Sequence, residues 1–340
     1  SDHVGPYTVH LSETGDFYED NTFPPRTGAT VVISDENGNR ETLQEVHPGI
    51  YKTSTTQGVQ GVTYTLEINS EGFKNHQKHH RGFQLIDEYM RRDFPVPDKA
   101  EDYVYMSQLM QANGMVMGFE AQRRAKPYNM GTLYWQLNDC WPVVSWSSID
   151  GLGNWKALHY EAKRAFEDVL VTTATVDTTL QVSVVNDTFE AITDTLRMRL
   201  MTFNGKLLLE DSQVVTSKAN SSELFWSFGE MQQDGFIASE TFLEVTFGTA
   251  TTLHYFVRPK ALQLDQQAIE ITQEVIDSSV SVTLTAATLQ KNVFITTDQP
   301  GHFSDNFFDL VPNEKRTVEF RTSADDLDGF NIISLNNFIR

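Results

Sequence analysis

Between Tyr7 and Ile68 the apolar positions recur with the period of two that marks half-buried β-strands. An apolar run from Ala29 to Ile33 is followed by Glu36-Asn37-Gly38-Asn39 and then Thr42-Leu43. An Asn-Gly pair between two strand-like runs predicts a hairpin. Further on, Tyr64, Leu66 and Ile68 alternate with Thr63, Thr65 and Glu67. From residue 74 the texture turns helical. "GFQLIDEYMRRDF" predicts a short helix stopped by Pro95 and Pro97, which lack the amide hydrogen that a helix interior needs. Asp98 is the expected N-cap of a second, long helix from Tyr103 to Ala125. That helix carries a packing stripe of Met106, Met110 and Met117, and its basic end suits the negative pole of the helix dipole. Gly131–Leu137 predicts a buried strand and Trp155–Val169 a helix packed through Ala157, Leu158, Tyr160, Ala162, Ala165 and Phe166. From Leu170 onward helical spacing disappears. "LQVSVVN", "TLRMRLMTF", "TFLEVTF", "TLHYFV", "VSVTLTAA", "NVFITT" and "RTVEFRT" alternate, with turn residues between them, and predict β-sandwiches.

The expected fold class is therefore mainly β and multidomain. It comprises an N-terminal β-sandwich (residues 1–72), a helix–strand–loop–helix segment of α/β character (73–169), and two sandwiches (170–259 and 260–340) that divide near Arg258-Pro259-Lys260. A chain of 340 residues is long enough for several domains, and 39% hydrophobic with 11% aromatic residues is enough for real cores. Charge steps along the same divisions. Residues 1–72 hold 3 basic and 11 acidic side chains, residues 74–168 hold 12 of each, and residues 169–340 hold 11 and 23. The net charge of −20 argues against nucleic acid as a partner, because a phosphate backbone requires a basic face. No run of eighteen apolar residues exists to span a membrane, and the start "SDHVGPYTV" has neither the basic nor the apolar region of a signal peptide. A lone cysteine, Cys140, cannot form an internal disulfide.

Candidate chemistry concentrates in "GTLYWQLNDCWPVVSWSSID". Three of the five tryptophans lie in these twenty residues, and Trp155 follows just after. Indole faces stack on the C–H faces of sugar rings, and amides or carboxylates beside them hydrogen-bond hydroxyl groups. A strand ending in Trp135, Asn138, Asp139 and Trp141 would project all four at one rim. An aromatic core cluster under a loop would use the same residues, and composition leaves both readings open. Two other patterns read as bland structure. Asp35-Glu36-Asn37-Gly38-Asn39 lacks the spacing of a calcium loop. His76, His79 and His80 have the spacing of a helical metal face but no carboxylate or thiol beside them, so no metal and no cofactor are expected.

Here the sequence resembles a known family. "GTLYWQLNDCWPVVSWSSIDGLGNWKALHYEAKRAF", with "HQKHHRGFQLIDEYMRRDFPVPDKAEDYVYMSQLMQANGMVMGFEAQRRAKPYNM" before it and "FSDNFFDLVPNEKRTVEF" after it, is similar to the C-terminal part of the β-mannosidases of glycoside hydrolase family 2. The resemblance covers about residues 74–340. It implies that 73–169 are the C-terminal part of a (β/α)₈ barrel and that two Ig-like sandwiches follow. It also implies that a terminal β-mannoside or manno-oligosaccharide is the partner, with Trp135 at the floor of the mannose subsite and Asn138, Asp139 and Trp141 on its rim. Retaining hydrolysis needs an acid and a nucleophilic carboxylate about 5 Å apart. The family carries them in an Asn-Glu that follows Trp-Gly-Gly and in Ser-Glu-(Phe or Tyr)-Gly, and this sequence has neither motif. "NSEGF" at 69–73 lacks the intervening aromatic residue, which leaves Glu71 a poor nucleophile, and Glu120 falls inside a helix, where an ion pair is its ordinary role. No catalytic residue is expected. A barrel also needs eight strands and about 250 residues, and residues 74–168 supply one clear strand. Finally, "YTVHLSETGDFYED", "PPRTGATVVISDENGN" and "PGIYKTSTTQGVQGVTYTLEI" resemble the N-terminal Ig-like module of bacterial surface lipoproteins associated with nutrient uptake. That resemblance implies a periplasmic or cell-surface location.

Overall fold

The structure is a computed structural model that describes residues 5–11, 25, 27–59, 62, 64–69, 76–229, 232–276, 279–322 and 329–339. The chain divides into two compact units, residues 1–84 with 139–146 and residues 85–138 with 147–340.

In the first unit β1 (Thr8–His10), β5 (Ile50–Lys52) and β4 (Gln44–His47) form one three-stranded sheet, in the order β1-β5-β4. A second has the order β3-β2-β6, from β2 (Thr30–Asp35), β3 (Arg40–Thr42) and β6 (Tyr64–Asn69). The predicted Asn-Gly hairpin joins β2 to β3, with Val32 opposite Thr42 and Ser34 opposite Arg40. Gly38 takes a positive φ of 83°, which a side chain would resist, and Asp35 Oδ1 accepts the amides of Asn37 and Asn39. Val31, Leu43 and Tyr51 make a small core, and the Tyr51 hydroxyl accepts the amide of Ala29 at 2.9 Å.

In the second unit two sandwiches follow the predicted alternation. The first packs a sheet of order β10-β9-β12-β13 on one of order β11-β8-β7. Its strands are β7 (Val169–Val176), β8 (Thr179–Asn186), β9 (Ile192–Thr202), β10 (Leu207–Ser217), β11 (Ser221–Phe228), β12 (Thr241–Phe247) and β13 (Ala250–Tyr255). Val182, Val184, Leu196, Leu200, Leu243 and Val245 fill the space between the sheets. The second packs β14-β15-β19-β17 on β18-β16-β20. Its strands are β14 (Glu270–Ile276), β15 (Ser279–Thr285), β16 (Gln290–Thr296), β17 (Gly301–Phe303), β18 (Phe308–Leu310), β19 (Arg316–Thr322) and β20 (Asn331–Ile333). β15 shows why the pattern was readable: Val280, Val282 and Leu284 are buried and the residues between them are not.

The helices are α1 (Gly82–Asp93), α2 (Ala100–Arg124) and α3 (Ala157–Ala165). The N-cap of α2 is Lys99 and makes no side-chain capping bond, so Asp98 is not the cap; Glu101 and Asp102 supply negative charge to the first turn instead. Met106 is fully buried but Met117 is 65% exposed, so the methionine stripe is only partly a packing face. α3 ends before Val169, which opens β7, and Phe166, just past its end, is 42% exposed but packs its ring 4.9 Å from that of the core residue Phe119.

The predicted strand over Gly131–Leu137 does not form. Residues 131–137 belong to no sheet, and among the described residues the nearest regular pairing is a single parallel bridge between Asn138 and Ile149. The physical reason is the one that sequence arithmetic raised: a buried parallel strand needs a neighbour on each side. Among the described residues no closed barrel is formed. α2 and α3 are held another way. Tyr105, Met106, Leu109, Phe119, Leu158 and Tyr160 share one core with Met201 and Phe242 of the first sandwich and Leu289 and Phe307 of the second. Arg123 reinforces this with an ion pair to Asp187 at 3.1 Å.

Candidate functional site

The segment from Gly131 to Leu137 alternates strictly between exposed and half-buried residues. Thr132 and Tyr134 face inward. The Thr132 hydroxyl donates to Gln122 Oε1 of α2 at 2.6 Å, and the Tyr134 ring lies 5.6 Å from that of Phe119. Leu133 and Trp135 face outward, and Trp135 is 74% exposed. The Trp135–Gln136 peptide is cis. Asn138 is exposed, and its carbonyl accepts the side-chain amide of Gln136 at 3.1 Å. Residues 147–149 run beside the end of the segment. The Ser148 amide is shared between the carbonyls of Gln136 and Leu137 at 3.1 Å each, and the Ile149 amide donates to the Leu137 carbonyl at 2.9 Å. Asp150 then closes a turn by accepting the amides of Leu152 and Asn154. Trp155 packs edge-on against His159 of α3, with ring centres 4.4 Å apart.

Asp139 and Trp141 lie in the other unit. Asp139 is buried, and both of its oxygens accept the Ser145 hydroxyl, at 2.8 and 2.7 Å. Trp141 is half-buried. The His76 ring tilts against it at 5.1 Å and Lys78 Nζ sits 5.9 Å from the ring centre, a cation–π distance. Val144 forms a parallel bridge with Gln77, its amide donating to the His76 carbonyl and its carbonyl accepting from Lys78. The histidine triplet does not make a metal face. Residues 76–81 are turns rather than helix, His76 Nδ1 donates to the Pro142 carbonyl at 2.6 Å, and His79 stacks on His80. Among the described residues no group of three His, Cys, Asp or Glu side chains is gathered as metal ligands.

The acids of the helical segment are engaged elsewhere. Glu120 pairs with Arg124 one turn on, at 3.4 Å, and accepts the Thr172 hydroxyl, the ion-pair role expected for it. Withdrawal from water pushes its carboxyl above the usual range, against the pull of Thr172 and Arg124. Glu161 pairs with Arg164 at 2.8 Å. Glu71 lies outside the described residues. Three residues escaped sequence reasoning: Tyr134, Ser148 and His159, whose polar atoms meet under the Trp135 segment. Their only signal is a serine pair, Ser147-Ser148, set among aromatic residues; both serines are fully buried.

Comparison with known proteins places these features. Residues 178–261 match the Mannosidase Ig/CBM-like domain and residues 264–338 an Ig-fold domain of the Ig_mannosidase family. β-Mannosidase A of Aspergillus terreus is 28% identical over 274 residues, which are 69% of this chain and 29% of that protein. The crystal structure of β-D-mannosidase from Dictyoglomus thermophilum superposes with a TM-score of 0.71 at 26% identity, over 78% of this chain and 34% of that one. Most of the chain is similar to the C-terminal part of β-mannosidases. The chain is also similar to the β-mannosidase of Capra hircus, 41% identical over 90 residues that are 23% of this chain and 10% of that protein. The exo-chitosanase CsxA of Amycolatopsis orientalis shares the fold, with a TM-score of 0.60 at 18% identity over 79% of this chain and 37% of that one. Residues 1–83 match a domain of unknown function (DUF4249). The chain thus spans about a third of the length of the β-mannosidases of Aspergillus terreus and Dictyoglomus thermophilum.

Proposed function

We propose that this chain binds terminal β-mannosyl residues without hydrolysing them, with the Trp135 indole as the platform for the sugar ring and Asn138 as a partner for its hydroxyls. The observation that carries the reading is the outward, three-quarters exposed Trp135 side chain beside an exposed Asn138, in a segment similar to β-mannosidases. An indole of that exposure offers a large apolar face of fixed geometry, which suits the C–H face of a pyranose. Asp139 and Trp141 share the sequence motif but lie in the other unit, where Asp139 is buried and holds the Ser145 hydroxyl.

Loss of hydrolysis follows from chemistry. Cleavage with retention requires a proton donor and a nucleophile opposed across the anomeric carbon. The sequence has neither family motif for them, and Glu120 and Glu161 are committed to arginines. The test is an aryl β-mannoside assay beside a manno-oligosaccharide titration followed by tryptophan fluorescence. No turnover and a saturable signal lost in Trp135→Ala are expected. Turnover that disappears in Trp135→Ala would overturn the claim of inactivity, and a flat titration would overturn the claim of binding. The resemblance of residues 1–72 to surface lipoproteins supports a periplasmic or cell-surface location, which fractionation of the producing cells tests.

A further inference from the structure

Beneath the Trp135 segment three polar side chains meet at one oxygen. Ser148 Oγ lies 2.9 Å from the Tyr134 hydroxyl, 3.1 Å from His159 Nδ1 and 2.9 Å from the Leu137 carbonyl oxygen. Ser148 is fully buried, so no water stands in for a missing partner without entering the core. A serine hydroxyl has one proton to give and two lone pairs to fill. The Leu137 carbonyl can only accept, so the Ser148 proton goes there. Tyr134 must then donate to Ser148, and His159 must carry its proton on Nδ1 and donate as well. This is the one arrangement that satisfies all three contacts, and it fills the hydrogen-bonding capacity of Ser148 completely. The two anchored points, the Tyr134 side chain and the Leu137 carbonyl, bracket Trp135 on either side.

We propose that Ser148 is the positioning residue of the glycan platform: held by Tyr134 and by the Nδ1–H tautomer of His159, it fixes the residues flanking Trp135 and so the direction of the indole. The proposal rests on the glycan-binding reading for its consequence and on the hydrogen-bond geometry for its cause. His159 itself is held in place by Trp155, edge-on at 4.4 Å, and α3 presents it in its first turn, two residues after Ala157. The sugar would touch none of the three residues, so each acts through Trp135.

The experiment uses the full chain. Nitrogen NMR of the labelled protein at pH 8 should show His159 protonated at Nδ1 and bare at Nε2; the opposite tautomer overturns the assignment. With 5-fluorotryptophan incorporated, the Trp135 fluorine signal, identified by its loss in Trp135→Phe, should be single in the wild type and in His159→Asn, which keeps a donor near the Nδ1 position. It should broaden or split in Ser148→Ala and Tyr134→Phe. An unchanged signal in both of these overturns the proposal, and the second keeps the test open if the first fails to fold. Mannotriose titrations should show roughly tenfold weaker binding for Ser148→Ala and near wild-type binding for His159→Asn. A merely structural role would not produce that rescue. If the wild type binds no mannotriose, the glycan-binding reading fails, and the fluorine and nitrogen signals still decide the positioning claim.

Discussion

Tyr255 of the first sandwich donates a 2.7 Å hydrogen bond to Asp309 of the second. The same carboxylate accepts the Lys291 ammonium at 3.0 Å and the Asn292 amide at 2.8 Å, and Lys291 Nζ lies 4.0 Å from the centre of the Tyr255 ring. Burial opposes a charge at Asp309. Lys291 and the two further donors outweigh it and hold the carboxyl below its ordinary range. The same neighbourhood, burial first and then the Asp309 charge, pushes the Tyr255 phenol well above its usual value, so it stays a donor.

Removing one member of this group leaves the others unmatched. Asp309→Ala strands a largely buried lysine and an unpartnered phenol, and should destabilise the second unit by about 3 kcal/mol. Lys291→Met in the same chain should recover part of the loss, because the stranded charge goes with it. Denaturant titration read by tryptophan emission and by hydrogen exchange in β13, β16 and β18 checks this. A loss below about 1 kcal/mol would mean that the group contributes little net stability. Exchange is the better readout, since a chain with several separate cores need not unfold in one step.

His254 gives the first sandwich a pH dependence of known sign. Its Nδ1 is 3.1 Å from the Thr173 hydroxyl, and the Phe256 ring stands edge-on at 5.0 Å. Burial lowers its pKa from the ordinary 6.5 to about 4, so the folded state holds the neutral ring. The unfolded chain binds a proton at pH values where the folded chain does not. Stability from this residue is therefore complete above about pH 6.5 and is lost as pH falls from there to about 4. Allowing for the residue's partial exposure, the loss should reach about 2 kcal/mol. Thermal melts of the wild type and His254→Gln between pH 7 and pH 4 check it. The wild-type midpoint should fall more steeply with acid, and parallel curves would remove the effect.

How much of this was legible depends on whether a feature is set by local pattern or by distant neighbours. The β15 alternation, the Asn37-Gly38 turn and the proline stop after α1 are local, and the sequence pattern announces each of them. The strand expected at Gly131–Leu137 also has strand-like local chemistry, but a strand exists only through its partners, and the described residues supply none. Met117 has the residue type of a core and sits outside it, because the core that α2 and α3 share is completed by sandwich residues such as Met201 and Leu289, more than thirty residues further along the chain. At the candidate site, Trp135 and Asn138 stood out by residue type and motif. Ser148 did not: its importance lies in a meeting of Tyr134, Leu137 and His159 that no spacing rule describes. Asp139 and Trp141, one and three residues after Asn138, fall in a different compact unit, which closeness in sequence alone would not suggest.

Two glycine positions should respond in opposite directions to one added methyl group. Gly301 opens β17 and pairs with Thr322 of β19. A Cβ there would lie 2.4 Å from the Arg321 carbonyl oxygen and 2.5 Å from Cζ of Phe320. The first is backbone and the second belongs to a ring that is 1% exposed in the core of the second sandwich, so neither can yield cheaply. Gly301→Ala should part β17 from β19 and cost about 2–3 kcal/mol, the ordinary penalty of overpacking. Gly114 lies in the interior of α2, where a Cβ would meet nothing within 4 Å. Gly114→Ala should stabilise the chain by about 0.5–1 kcal/mol, because alanine has less backbone freedom to lose on entering a helix. Hydrogen exchange resolves the two effects by location, with faster exchange in β17 and β19 for the first variant and slower exchange in α2 for the second. Wild-type exchange in β19 of the Gly301→Ala protein would show that the strand pair accommodates the methyl group, and the close approach at Gly301 would then carry no stability.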